Sequence, residues 1–498
     1  MTATKSLIKD SALYGGSTIL VKMISWLMTP LLTYLLAPSD YGIMVYLYAY
    51  TALIIVFLTF GLETGFFRFA NQTEKYKVST VYSTTISIVG SFTTLFLVLF
   101  LGFLPSLRHL FWDDDIPSLY IRLLILILSM DAFSAIPFAY LRYQKRPIKF
   151  GALKLVYVIL YVIFCVFFLV ICPWINKHQP QLIAWLWRED FSLGYVFISN
   201  LLATNIQTLC LIPELTGFKY RFDGALAKKM LHYCFPLMLM GLAGMSNQVV
   251  DKIIFPSVYP DRAGWSTQLG EYGACFKIAM IMMIFTQAFR YAYEPFFFEK
   301  SKEKNAKQAY ADVMKYFVIL GLAVFLGVMF YLDILKYFID PSYFSALPVV
   351  PIVLIGELFF AVYFNLSIWY KINDKTYWGT IFSASGFIII VGLNILFIPQ
   401  YGYMACAWAS FIGNGVIALL SYFIGQKHYP VKYDLKTIGL YSALTAVLFV
   451  VSIGMPIDTI YLRLGFNTLL LAVYLFVFMK RDLKLLGSPS ASSPKERE

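Results

Sequence analysis

Apolar runs of about 20 residues recur from one end of this 498-residue chain to the other, and an α-helix of that length crosses roughly 30 Å of hydrocarbon. Inside lipid no water satisfies backbone polar groups, so a spanning segment must be a helix or part of a closed barrel. Barrel strands are about half as long and alternate in polarity, which these runs do not. With 59% hydrophobic and only 14% charged residues, and a mean hydropathy of +0.70, the chain holds more apolar surface than a soluble core uses. The fold class expected is an all-α polytopic membrane protein.

Fourteen spans are read, at about residues 11–36, 41–67, 79–104, 118–141, 150–173, 193–213, 230–255, 270–298, 309–332, 343–370, 376–397, 402–424, 435–454 and 457–479. Spans eleven and twelve are divided only by Ile398-Pro399-Gln400-Tyr401-Gly402, a tight-turn signal. Charge tests the parity of that count. The two ends and every second connection carry 27 Lys and Arg, whereas the alternate connections hold only Arg108, Lys177, Arg188, Arg262 and Lys336. By the positive-inside rule both termini are cytoplasmic, as an even count requires.

The net charge of +12 is thus a topology signal, and the short basic connections suit contact with membrane lipids. They do not interleave with exposed aromatics in a soluble segment, so no nucleic-acid partner is expected. Lys5 and Lys9 precede an apolar segment too long for a signal peptide and without a small-residue cleavage site; it is read as span one. The six cysteines and four histidines are scattered without metal-ligand spacing, so neither a disulfide framework, a metal site nor a cofactor is expected. No phosphate-binding G-x-x-x-x-G-K-[ST] loop is present.

The chain also repeats itself. Tyr41-Gly42 precedes Glu63 by the same interval at which Tyr272-Gly273 precedes Glu294, and aromatics follow each glutamate. Leu193-Gly194-Tyr195 resembles Tyr401-Gly402-Tyr403, and the residues before Asp223 resemble those before Asp434. Two six-helix bundles and a terminal hairpin fit this. Both bundles start on one side, making a parallel repeat about an axis along the membrane normal. The divisions are 1–220, 221–430, 431–481 for the helix pair, and a compositionally disordered cytoplasmic tail at 482–498.

Ionisable residues within spans are expensive and mark candidate function. The basic ones are Lys22, Lys154, Lys252, Lys277, Arg290 and Lys315. Lys154 and Lys315 sit about one turn from the boundary and are expected to snorkel. Lys22 lies midway along span one, too far from either surface to escape, on a stripe of Ser11, Gly15, Thr18, Ser25, Thr29 and Thr33 that suggests a water-lined face. Arg290 and Glu294 are one turn apart. Lys277 is roughly 140° around the helix from Arg290 and ranks below it. The acidic members are Glu63, Asp131, Asp251, Glu294 and Glu357; Asp131 and Arg142 fall on one face of span four. Both glutamates of the repeat lie near the cytoplasmic ends of their helices, which suits a gate or a structural pair. Carboxylates in such places carry protons or sodium, or balance the bases, and the residues alone leave that choice open.

Several stretches resemble bacterial polysaccharide and O-antigen precursor flippases of the multidrug, oligosaccharidyl-lipid and polysaccharide exporter superfamily. They are Pro38-Ser39-Asp40-Tyr41-Gly42, Gly61-Leu62-Glu63-Thr64, Phe67-Arg68-Phe69, Glu271 to Lys277, Phe289 to Phe296 and Pro399-Gln400-Tyr401-Gly402. The resemblance runs from Ser11 to about Lys480 and implies a transporter, not an enzyme, in the bacterial inner membrane. It would flip undecaprenyl-pyrophosphate-linked oligosaccharide between leaflets by alternating access, with a cationic cavity for the pyrophosphate. The positions that match such a cavity are Lys22, Arg290, Lys277 and Arg68; Glu63, Glu294, Asp131, Asp251 and Glu357 are the gate or coupling carboxylates. Its partners would be the lipid-linked oligosaccharide, membrane lipids, a proton or sodium ion, and glycan polymerase machinery. Relatives often place arginines in the first helix, whereas Lys22 offers a point charge without a bidentate fork. The alternatives are a multidrug or cation antiporter of the same architecture, and a membrane enzyme such as a glycan polymerase or ligase.

Overall fold

The computed structural model describes residues 2–111, 115–216, 220–300, 306–373, 375, 377–457 and 459–483, the side chains of 2–15, 17–18, 110–111, 291–300 and 483 excepted. Among the described residues every regular element is helical, without strands. The principal helices are α1 (Thr2–Leu35), α2 (Pro38–Thr59), α3 (Leu62–Ala70), α4 (Val78–Gly102), α5 (Ser118–Tyr143), α6 (Pro147–Val166), α7 (Ser192–Leu209) and α8 (Gly224–Val258). They continue as α9 (Trp265–Lys300), α10 (Ala306–Phe330), α11 (Val349–Leu366), α12 (Tyr377–Tyr401), α13 (Tyr403–His428), α14 (Leu435–Gly454) and α15 (Ile460–Phe478).

Local chemistry sets several boundaries. Pro38 and Pro147 stand at the first positions of α2 and α6, where a missing N–H costs nothing. The carboxylates of Asp223 and Asp434, matched by the repeat, accept from Leu226 N at 3.0 Å and Thr437 N at 3.1 Å and so cap α8 and α14. Between α12 and α13 only Gly402 interrupts the helix, at φ 53° and ψ −135°, which accounts for how weak that division is in the sequence. Phe60 and Gly61, at φ 51° and 67°, break the second expected span into α2 and α3.

Among the described residues eleven spans are long and apolar enough to cross a membrane. Helices also occupy the other three expected segments. In α1 the apolar stretch is the shorter Ile19–Leu35. The segments α7 and α8 fall outside that measure because they carry polar groups inward: Asn200, Thr204 and Gln207 on α7, and Asn247, Asp251 and Lys252 on α8, are all buried.

The helices group as two bundles related by their packing. In the first, α1 lies on α6, α6 on α7, α7 on α5, and α5 on α2 and α4; in the second, α8 lies on α12, α12 on α13, α13 on α11, and α11 on α9 and α10. The hairpin α14–α15 packs against α10. Between bundles the main contact is α2 against α9, flanked by α2 and α3 on α8 and by α1 on α9.

Connections alternate between two ends of the molecule. At one end Tyr343 donates to Leu36 O (2.8 Å), Tyr34 to Tyr337 O (3.2 Å) and Tyr403 to Ser345 O (3.0 Å). The other end gathers the connections after α3, α5, α7 and α13: Lys149 bonds Glu214 (2.6 Å), Ser83 donates to Arg221 O (2.7 Å), and Trp369 stacks on His428.

Candidate translocation site

The two bundles are closed against each other at the α2–α9 crossing. A Cβ on Gly42 would sit 1.7 Å from the Ser266 carbonyl oxygen, and one on Gly270 would sit 1.9 Å from that of Pro38. Glycine is required at both positions because backbone meets backbone. Tyr41 packs edge-on against Tyr343 beside this crossing. At the other end Gly65 lies under Cys234 of α8, and Arg68 stacks 4.0 Å over the Tyr233 ring.

Between these closures runs the α1–α9 seam. The Trp26 indole donates to the Lys277 carbonyl at 2.7 Å and stacks on Phe338 at 4.1 Å. One turn from Trp26, Lys22 is exposed and feels the charge of Arg290 on α9. The guanidinium of Arg290 lies 4.9 Å from the Phe364 ring centroid on α11. Two like charges from different bundles thus lie within electrostatic range of each other, an arrangement that favours an anion near both. The stripe on α1 divides: Ser25 is exposed beside Lys22, whereas Thr29 and Thr33 are buried and Thr33 bonds back to Thr29 O at 3.0 Å. The stripe residues Ser11, Gly15 and Thr18 lie outside the described side chains.

The remaining expected site residues fall elsewhere. Arg68 is at the closing end, away from Lys22. Lys277 faces Lys252, in a group inside the second bundle. There the Lys252 ammonium bonds both Asp251 oxygens at 3.0 Å and the Gln248 carbonyl at 3.2 Å; Tyr272 donates to Asp251 at 3.0 Å. Glu357 on α11 feels the charges of Lys252 and Asp251.

The first bundle holds a matching group of two acids and two bases. Arg142 is ion-paired with Glu63 and lies over the Phe67 and Phe150 rings. Asp131 and Arg142, though on one face of α5, are about 16 Å apart along the axis and do not meet. Asp131 instead faces Lys154, which also feels Glu63. The snorkelling expected of Lys154 gives way to this: its ammonium lies 4.1 Å from the Phe138 ring centroid, inside the bundle. Lys315, by contrast, reaches Asp312 at 3.9 Å. Among the described residues neither Asp131 nor Glu357 makes a hydrogen bond. The Glu294 side chain lies outside the described residues, as do residues 484–498 of the tail.

Comparison with known proteins identifies the chain. The sequence profile of the family described as "Polysaccharide biosynthesis protein" matches residues 7–301, more than half its length. The chain belongs to that family. No curated protein sequence matches it. Among solved structures its fold is similar to that of the lipid II flippase MurJ in an inward closed conformation, with a TM-score of 0.73 at 14% identity over 95% of this chain and 99% of that one. It is also similar to an inward-facing multidrug resistance MATE family transporter of the MOP superfamily, with a TM-score of 0.63 at 13% identity over 87% and 96%. An outward-facing MATE transporter gives 0.56 at 13% identity over 88% and 97%. The expected all-α polytopic fold therefore holds for this polysaccharide biosynthesis family member, and it is the fold of those two kinds of transporter.

Several site residues had little signal in the sequence. Trp26 ties the seam together, yet only its position one turn from Lys22 hints at it. Tyr48, Tyr157 and Asn200 form a network beside Asp131, with Asn200 donating to Tyr48 and accepting from Tyr157, both at 2.8 Å. They come from three helices, so no local motif records them.

Proposed function

We propose that this protein flips a lipid-linked oligosaccharide, carried on undecaprenyl pyrophosphate, from the inner to the outer leaflet for surface polysaccharide synthesis. The observation that carries the reading is the placement of Lys22 and Arg290, from opposite bundles, at one seam. Membership of the polysaccharide biosynthesis family and a fold shared with a protein named as a lipid II flippase support it. The seam cations hold the phosphates, and rocking of residues 1–220 against 221–430 moves them between faces. The helix pair 431–481 and the tail 482–498 complete the chain. Fourteen crossings, cytoplasmic termini and a bacterial inner-membrane location belong to the same proposal, with glycan polymerase machinery as the downstream partner and no catalysis by this chain.

Within it Glu63 and Asp251 serve as ion-pair partners, with Glu294 the counterpart of Glu63 at the gate. The coupling role, for a proton or sodium, narrows to Asp131 and Glu357. Lys277 and Arg68 are second-rank contacts for the substrate. In a deletion strain the lipid-linked precursor accumulates on the inner leaflet; Lys22→Ala with Arg290→Ala reproduces that defect, and normal surface glycan in the double variant refutes the site. The antiporter reading predicts instead that Glu63→Gln abolishes cationic-drug resistance with glycan unaffected. A membrane enzyme would form new glycosidic bonds when purified.

A further inference from the structure

At the end of the first bundle that gathers the connections after α3, α5 and α7, cations and apolar side chains are exposed side by side on the outer surface. Ile148, at the start of α6, is 79% exposed, and Ile212, just beyond α7, is 46% exposed. The Lys149–Glu214 bond holds these two segments together. Immediately beyond the apolar level stand Lys145 and Arg146, both exposed, where the chain turns through Lys145 at φ 54°. Arg221 and the 60% exposed Phe222 are fastened nearby, because Ser83 clasps the Arg221 backbone while Tyr82 of the same helix bonds Glu214 O at 2.9 Å. Among the described residues the side chains of Lys145, Arg146 and Arg221 meet no carboxylate. Of the carboxylates in these segments, Glu214 is buried and neutralised by Lys149, and Asp223 is engaged in capping α8.

We infer that this patch is a binding site for the headgroup of an anionic phospholipid in the leaflet it meets. Ile148, Ile212 and Phe222 take the glycerol and upper acyl region, and Lys145, Arg146 and Arg221 take the phosphate. The physical case is charge complementarity at the hydrocarbon edge: a basic cluster directly beyond a lipid-facing apolar surface attracts anionic headgroups, by about 5-fold per cation. The site is separate from the α1–α9 seam, so it stands or falls independently of the transport proposal.

The test is native mass spectrometry of the full chain in detergent, titrated with phosphatidylglycerol and with phosphatidylcholine. The parent retains phosphatidylglycerol preferentially, and Arg146→Gln alone lowers that preference about 5-fold. The triple variant Lys145→Gln, Arg146→Gln, Arg221→Gln abolishes it. Lys427→Gln with Lys432→Gln, two cations in the connection after α13, leaves it intact. Equal retention of both lipids by the parent, unchanged preference in Arg146→Gln, or an equal loss in the Lys427→Gln, Lys432→Gln variant would each overturn the inference.

Discussion

Replacing Lys252 by Met removes a cation that makes three hydrogen bonds, two to Asp251 and one to the Gln248 carbonyl. Asp251 is 2% exposed, so water cannot replace the lost bonds; among the described residues the Tyr272 hydroxyl alone remains to hold the carboxylate. Removing one partner of a buried pair costs about 3–5 kcal/mol, chiefly because the other charge is stranded. Met keeps the length of the side chain and its contact with Phe276, whose ring centroid is 4.7 Å from the ammonium, so little of the loss comes from packing. The second variant, Lys252→Met with Asp251→Asn, removes both charges while Tyr272 still donates to the amide oxygen. It should recover most of the stability, leaving a coupling energy of about 3 kcal/mol in a double-mutant cycle. The assay is detergent-titrated unfolding of the purified protein followed by tryptophan fluorescence. If Lys252→Met is as stable as the parent, or the double variant is as unstable as the single, Lys252 and Asp251 are not a balanced ion pair and Asp251 returns to the list of coupling residues.

Further tests address the crossing and the helix ends. Gly42→Ala forces α2 and α9 apart, at roughly 1–3 kcal/mol of overpacking; Cys275, buried with its thiol 3.4 Å from Tyr343 O, should then be labelled by a membrane-impermeant maleimide, as located by peptide mass spectrometry. Asp434→Ala removes the α14 cap and lowers stability by about 1 kcal/mol near neutral pH. Hydrogen bonds from the Thr437 side chain and backbone hold the Asp434 carboxyl below its usual range, so this contribution is present above the unfolded value of about 3.9 and is lost as pH falls through the folded one. The gap in thermal midpoint between parent and variant should therefore be constant from neutral pH to about 5 and shrink below about 4.

Fold class and the two-bundle plan were legible because lipid imposes one rule on every spanning segment, and a 20-residue apolar run obeys it visibly. The same rule hides the crossings that matter most. The polar inward faces of α7 and α8 dilute their apolarity, and their helices are recognised by position and repeat more than by composition. Of the proposed site, Lys22 stands out in the sequence by its mid-span depth, and Arg290 by its place one turn from Glu294. Partners do not stand out. Helical periodicity placed Asp131 and Arg142 on one face, but pairing depends on height and on neighbouring helices; Glu63 pairs with Arg142 and Lys154 feels the charge of Asp131 across helix interfaces that no spacing encodes. Lys252 was an unremarkable residue near a helix end until α9 supplied Tyr272 and Phe276 around it.

The central claim is that cations from both bundles hold the phosphates of a lipid-linked glycan as it crosses. It is tested most directly by reconstituting the purified protein into vesicles and measuring transfer of a fluorescent polyprenyl-pyrophosphate oligosaccharide between leaflets. The account predicts transfer by the parent and a loss of roughly 10-fold or more for each of Lys22→Ala and Arg290→Ala, since a hydrogen bond to a charged group contributes about 1.5–3 kcal/mol. Transfer at the parental rate by the double variant would contradict it.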